Sequence, residues 1–227
     1  MTSSERHALP AGVLWDMDGP LVDTEPYWMR CEYALAERYG GRWSEADALA
    51  VVGGDLVDSA TYMREHMGID RTPAQIVDEL LDGVVALVQE EVPWRPGARE
   101  LLADLGAAGV PCALVTMSYR RFAEPVLGAL PAGSFAAIVV GDEVSRGKPH
   151  PEPYRRGAEL LGVPTGLTVA IEDSPTGAAS AEAAGCRVLV VPHHVDVPDG
   201  PRRVRRETLV GLGAHDLGAV LAGHVVG

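Results

Sequence analysis

The chain has 227 residues, of which 47% are hydrophobic and 22% charged, with a formal net charge of −13 at pH 7. That length buries one large core, or one core with a smaller satellite; the acidic balance argues against nucleic-acid binding, and no run of about 18 uncharged apolar residues offers a membrane span. Met1 to Pro10 contains no apolar run of the secretory type, and Cys31, Cys112 and Cys186 are too widely spaced for a disulfide framework or a CxxC metal site, so a reducing cytoplasm is the expected location.

In chain order, residues 13–15 read as a short buried strand. Further strand-like runs follow only at 112–115, 136–140, 168–171 and 188–191, separated by helical patterns at 97–108, 119–129, 153–162 and 176–184. Gly109, Gly162 and Gly185 sit just past three of these helices, where a left-handed cap is wanted. Alternating strands and helices predict an α/β fold, a Rossmann-like doubly wound parallel sheet with helices on both faces. The gap after the first strand reads as helices, because Trp28, Cys31 and Leu35, then Ala60, Met63 and Met67, then Ile76, Leu80 and Val84 recur at helical spacing. Four helices exceed an ordinary crossover. They predict an all-helical domain over 27–94, inserted into an α/β core made of 1–26 and 95–227. Near the end of the chain, Arg202, Arg203, Arg205 and Arg206 follow Pro198, Gly200 and Pro201, a pattern that reads as a solvated loop.

Ligands of open parallel sheets bind at the carboxyl ends of the strands. Here those ends carry Asp16-Met17-Asp18-Gly19, Thr116-Met117-Ser118 and Glu172-Asp173-Ser174, and the loop after the third strand leads through Asp142 to Gly147-Lys148-Pro149. Each piece alone has an ordinary structural explanation, such as a helix cap, a strand-ending threonine or a surface lysine. Their conjunction does not. Lys148 adds a compositional point, because the other eighteen basic residues are all arginine, which suggests a need for a compact cation at 148. The set suits aspartate-based phosphoryl transfer: Asp16 as nucleophile, Asp18 as acid and base, Asp16 and Asp173 as oxygen ligands of Mg²⁺, and Thr116 and Lys148 holding the phosphoryl oxygens. Ser118 is expected to cap a helix starting near Tyr119, whose amides would form an anion site.

The strings DMDGPLVDTEP (16–26), LVTMS (114–118), GKPHPEPY (147–154) and IEDSPTG (171–177) closely resemble the four motifs of the haloacid dehalogenase superfamily, over essentially the whole chain. The nearest subgroup, with a helical cap, contains β-phosphoglucomutase and sugar-phosphate or phosphoglycolate phosphatases. The resemblance implies a Mg²⁺-dependent phosphatase with Asp16 as nucleophile and Asp18 as acid/base. It implies phosphate binding by Thr116, Met117, Ser118 and Lys148, and metal binding by Asp16, the backbone carbonyl of Asp18, Glu172 and Asp173. The expected substrate is a small phosphomonoester of a sugar, polyol or glycolate, and the expected state is a monomer with neither nucleic-acid nor membrane partners.

Several branches of that resemblance are weakened by particular residues. Asp18 separates the chain from dehalogenases, and the single lysine separates it from phosphonate-cleaving relatives that use a cap lysine. Trp28 stands where the mutase carries a histidine, and Gly53-Gly54-Asp55-Leu56 replaces its Gly-x-x-Arg loop, which favours hydrolysis over isomerisation. The alternatives are a mutase and a catalytically silent metabolite-binding module. The segment 27–94 holds thirteen acidic residues against five arginines, so no second phosphate clamp is evident and lightly charged monophosphates are favoured. Asp55 and Asp58 are expected to cap a helix near Ser59 rather than bind substrate. His193 and His194 read as a surface loop without neighbouring ligands. Pro20, where the motif commonly has Thr or Val, removes a backbone donor and stiffens the turn.

Overall fold

The structure, a computed structural model, describes residues 7–52 and 54–224. Strand β1 (Gly12–Trp15) is followed by four helices, α1 (Glu25–Tyr39), α2 (Glu45–Val51), α3 (Leu56–Met67) and α4 (Pro73–Glu90). Strand and helix then alternate through α5 (Ala98–Ala107), β2 (Cys112–Val115), α6 (Arg120–Gly128), β3 (Ala137–Val139), α7 (Glu152–Leu161), β4 (Thr168–Glu172), α8 (Pro175–Ala184) and β5 (Arg187–Val190). A last strand, β6 (Arg203–Arg205), and α9 (Ala214–Ala222) follow. The six strands are all parallel, in the order β3-β2-β1-β4-β5-β6. The chain therefore starts in the middle, builds outward to β3, and returns to the other side of β1, leaving a switch point between β1 and β4 where a crevice is available.

The strands are short apolar runs because both sheet faces are covered. Alternation along each strand divides the core. Val13, Trp15, Leu114, Ile171 and Leu189 meet Leu101 and Leu105 of α5, Phe122 of α6, and Leu217 and Val220 of α9. On the opposite face Leu14, Ala113, Val115, Ala170 and Val188 meet Tyr154 and Ala158 of α7 and Ala178 and Ala181 of α8.

The helices between β1 and β2 start where their sequence supplies caps. Ser44 and Asp47 exchange hydrogen bonds at the start of α2, as Thr72 and Gln75 do at the start of α4. Asp55 accepts from the Val57 and Asp58 N–H groups at 2.8 and 3.1 Å, the capping role expected of it. Asp58 lies in the first turn of α3, while Gly53 of the same segment lies outside the described residues. The stripes Ala60, Met63, Met67 and Ile76, Leu80, Val84 are buried in a cluster continuous with the α5–α6–α9 side of the sheet. Contact with the rest of the chain runs through α6: Trp28 meets Phe122 edge-on at 5.5 Å between ring centres, and Arg121 pairs with Asp82 and Asp78 of α4. The two connecting segments are zipped together, Asp23 N–H donating to Pro93 O at 2.8 Å and Arg95 N–H to Leu21 O at 3.0 Å.

Two elements depart from expectation. Arg203–Arg205 is an edge strand rather than a solvated loop, because the arginines are neutralised locally. Arg203 grips Glu182 of α8 at 2.6 and 2.9 Å and the Pro198 carbonyl at 2.7 Å, Arg205 meets Asp196 at 2.7 Å, and Val204 between them is buried. Charged residues on an edge strand also oppose pairing with another chain. Helix α9, absent from the expected pattern, begins where Asp216 accepts the Gly213 N–H and Asp104 of α5 accepts the Ala214 N–H.

Candidate active site

The residues at the strand ends are brought to one place. β1 pairs with β4 through Trp15 and Ile171, and the next residue, Asp16, donates its N–H to the Ile171 carbonyl at 3.0 Å, so Asp16 and Glu172-Asp173 emerge side by side. Gly19 turns the chain with φ +101°, a conformation that side chains rarely adopt, and the Asp173 carboxylate occupies the space a Cβ there would fill.

Asp18 is held by three hydroxyls. Thr24 donates to one carboxylate oxygen at 2.6 Å, while Ser118 at 2.7 Å and Thr116 at 3.5 Å donate to the other. Burial raises its pKa despite these bonds, which shifts Asp18 towards its protonated form. The expected capping role of Ser118 is not met: Tyr119 holds the N-cap position of α6 without a side-chain bond, and the Ser118 hydroxyl is committed to Asp18. Thr116 Oγ1 also accepts the Ser118 N–H at 2.9 Å. The Met117 sulfur accepts the Lys148 N–H at 3.3 Å, while no described residue accepts the Met117 N–H.

Lys148 is at the centre of the charge. Its buried ammonium lies 2.8 Å from Asp16 Oδ1 and 2.7 Å from Glu172 Oε1, and the Lys148–Pro149 peptide bond is cis. Burial opposes that ammonium, but the two carboxylates outweigh it and hold the lysine above its ordinary pKa. Tyr154 donates its hydroxyl to the same Glu172 oxygen at 2.5 Å, and its ring lies 5.1 Å from the Lys148 nitrogen. Ser174 donates to the other Glu172 oxygen at 3.2 Å and caps α8 through the Gly177 N–H. Ser174, Tyr154 and Thr24 were not assigned catalytic roles from sequence, although each lies inside one of the four motif strings.

The donor chemistry suits a small hard dication. Asp16, Glu172 and Asp173 each present a carboxylate oxygen within 4.8 Å of the others, all three residues are buried, and Lys148 is the one cation among them. Asp173 makes no hydrogen bond or ion pair with a described residue. Burial, then the negative Asp16 and Glu172, push its pKa to about 9, and burial pushes Asp16 to about 7 against the pull of Lys148. A bound dication would offset the burial and mutual repulsion that raise these two pKa values.

Other singled-out residues fall elsewhere. Trp28 packs on Phe122 between α1 and α6. Asp142 accepts the Arg120 N–H at the start of α6. His193 and His194, expected to lack neighbouring ligands, both meet Asp23, which comes from the connection between β1 and α1.

Comparison with known proteins agrees with this geometry. Residues 10–185 match the family model of haloacid dehalogenase-like hydrolases. Hexitol phosphatase A of Escherichia coli is 36% identical over 192 residues, 82% of this chain and 85% of its own length. Hexitol phosphatase B of the same organism is 32% identical across 95% of this chain and 99% of its own. Among solved structures, CbbY from Rhodobacter sphaeroides in complex with phosphate superimposes with a TM-score of 0.80 at 27% identity, covering 92% of this chain and 100% of its own. A variant of CbbY crystallised with xylulose-1,5-bisphosphate gives a TM-score of 0.79 over 96% of this chain and 100% of its own. With a six-stranded parallel sheet, the acidic pair after its first strand and a family model matched over most of its length, the chain belongs to the haloacid dehalogenase-like hydrolases and is similar to their sugar-phosphate phosphatases.

Proposed function

We propose that the protein is a Mg²⁺-dependent phosphatase that hydrolyses the monophosphate of a small sugar or polyol through a phosphoaspartate on Asp16. The observation that supports this reading is the meeting of Asp16, Asp18, Thr116, Ser118, Lys148 and Asp173 at one sheet edge, with Lys148 bridging Asp16 and Glu172. Asp16, Asp173 and the Asp18 backbone carbonyl would hold Mg²⁺ with help from Glu172. The bound ion supplies the positive charge that lets an anionic substrate approach an anionic nucleophile.

In the first step an Asp16 oxygen forms a bond to phosphorus as the bond from phosphorus to the sugar oxygen breaks. Asp18, the acid of this step, gives its proton to that leaving oxygen. In the second step Asp18 takes a proton from water, whose oxygen bonds phosphorus as the bond from phosphorus to the Asp16 oxygen breaks, releasing inorganic phosphate and the free carboxylate. Thr116, Ser118, the free Met117 N–H and Lys148 hold the non-bridging oxygens. Thr24 keeps Asp18 in place across both steps. The helices of 27–94 act as a cap that closes over the leaving group and excludes water.

The hexitol phosphatases support the polyol reading, as does the lack of a second cationic clamp in the cap. Hydrolysis is favoured over isomerisation because Trp28, in the position of the mutase histidine, is engaged with Phe122. The three free cysteines fit a cytoplasmic setting, and the enzyme is read as a monomer. The test is phosphate release from a panel of hexitol, hexose and glycolate monophosphates with Mg²⁺ or with chelator. Turnover that needs Mg²⁺, prefers hexitol or hexose phosphates and falls at least about 10³-fold in Asp16→Asn supports the reading. Isomerisation without phosphate release would replace it with a mutase.

A further inference from the structure

We propose that Asp23, His193 and His194 form a second metal site, selective for a late first-row dication such as Zn²⁺ and distinct from the carboxylate site beside Lys148. The three residues come from two separate connections, the one between β1 and α1 and the one following β5. His193 Nε2 lies 2.9 Å from Asp23 Oδ2, and His194 Nε2 lies 3.2 Å from Asp23 Oδ1. The imidazoles of consecutive residues therefore turn the same ring nitrogen toward one carboxylate, their centres 3.9 Å apart and their planes tilted by 48°.

Those separations match a coordination sphere. A tetrahedral ion with bonds of about 2.1 Å needs its ligand atoms about 3.4 Å apart, so small outward shifts admit the ion without a change of backbone. Two imidazoles and one carboxylate select Zn²⁺, Co²⁺ or Ni²⁺ over Mg²⁺, which takes oxygen ligands and keeps its waters. The side chains are 19%, 38% and 31% exposed for His193, His194 and Asp23, leaving room for water in a fourth position. The catalytic group offers only carboxylates, so the two sites differ in chemistry as well as in residues.

Arg95 stands against the site. Its guanidinium lies 3.4 Å from His193 Nε2, a positive charge that an incoming dication must displace. Metal binding displaces Arg95, which belongs to the returning connection whose backbone is already tied to Leu21. A metal here clamps the first connection to the loop after β5, at the root of the inserted helices.

The test uses tag-free protein with excess Mg²⁺, titrated with Co²⁺ and with Zn²⁺. Expected are a visible Co²⁺ absorption of the kind given by four-coordinate nitrogen-bound cobalt, one Zn²⁺ per chain by calorimetry, and retention of both in Asp173→Asn. In His193→Gln/His194→Gln, with an unchanged far-ultraviolet spectrum, the absorption disappears and Zn²⁺ affinity falls by at least about 10-fold. Arg95→Gln, which removes the competing cation, binds Zn²⁺ more tightly than the parent. Absence of the Co²⁺ absorption, or its loss in Asp173→Asn with retention in the double histidine variant, overturns the proposal. The three groups would then be a hydrogen-bonded hinge and nothing more.

Discussion

Single carboxylates in this protein differ in charge because they differ in what surrounds them. Asp23 and Asp18 are both hydrogen-bonded, yet only in Asp18 does burial prevail and raise the pKa. Glu32 on α1 is a case remote from the phosphoryl chemistry: it is 3% exposed, accepts the Trp43 indole N–H at 3.0 Å, and burial lifts it to about 7. A folded-state pKa above the unfolded value means the native state keeps a proton that the unfolded chain releases, so stability falls as pH rises from about 4.5 to about 7. Glu32→Gln removes that proton while keeping an acceptor for Trp43. Its melting temperature should equal or exceed wild type, with an advantage that grows to the order of 2 kcal/mol above neutrality and vanishes in acid. Tyr154→Phe addresses the site itself. Loss of one hydroxyl from Glu172 should loosen Lys148, lowering kcat by about 10–100-fold with little change in KM.

At the scale of elements, helix starts carry both stability and chemistry, and the two can be separated. Thr72 and Ser174 each cap a helix, but Ser174 also donates to Glu172. Thr72→Ala should lower the unfolding free energy by about 1 kcal/mol in urea and leave kcat unchanged. Ser174→Ala should lose a comparable amount and reduce turnover as well, because the Glu172 carboxylate loses a partner. The α4–α6 contact is the other joint. Arg121 is half exposed, so its pairing with Asp82 and Asp78 contributes little to global stability. Removing it by Arg121→Ala should change the rate of product release before it changes the melting temperature.

For the whole molecule, the acidic site makes folding, pH and metal interdependent. Asp16 at about 7 and Asp173 at about 9 hold protons in the folded state that an unfolded chain would release well below neutrality. Without Mg²⁺ the melting temperature should therefore fall from about pH 6 to about pH 9, since the unfolded chain has released protons that native Asp16 and Asp173 still hold. A dication competes with those protons, so Mg²⁺ should restore more degrees at the alkaline end than at the acid end. Thermal scans with chelator or excess Mg²⁺ at both pH values check the sign. An equal Mg²⁺ shift at the two ends would mean that the ion binds elsewhere.

Reading the chain residue by residue brought Asp16, Thr116 and Glu172-Asp173 together because each sits at the end of a short buried strand. A parallel sheet collects such ends along one edge whatever its loops do, so Asp16, Thr116 and Glu172-Asp173 could be placed together from local pattern. The inserted helices were legible for a similar reason, since Ile76, Leu80 and Val84 repeat at the helical period. Edge strand β6 was not, because its stability comes from Glu182 and Asp196 meeting arginines that look solvated in isolation. Nor was the commitment of Ser118 to Asp18, which a local capping rule assigns differently. The Asp23–His193–His194 cluster shows the general limit: its histidines lie some 170 residues from their carboxylate, and only the closing of β5 beside β4 sets them within bonding reach. Periodicity and strand ends are properties of neighbours in the chain, whereas partners in charge are chosen by whichever segments the folded core leaves side by side.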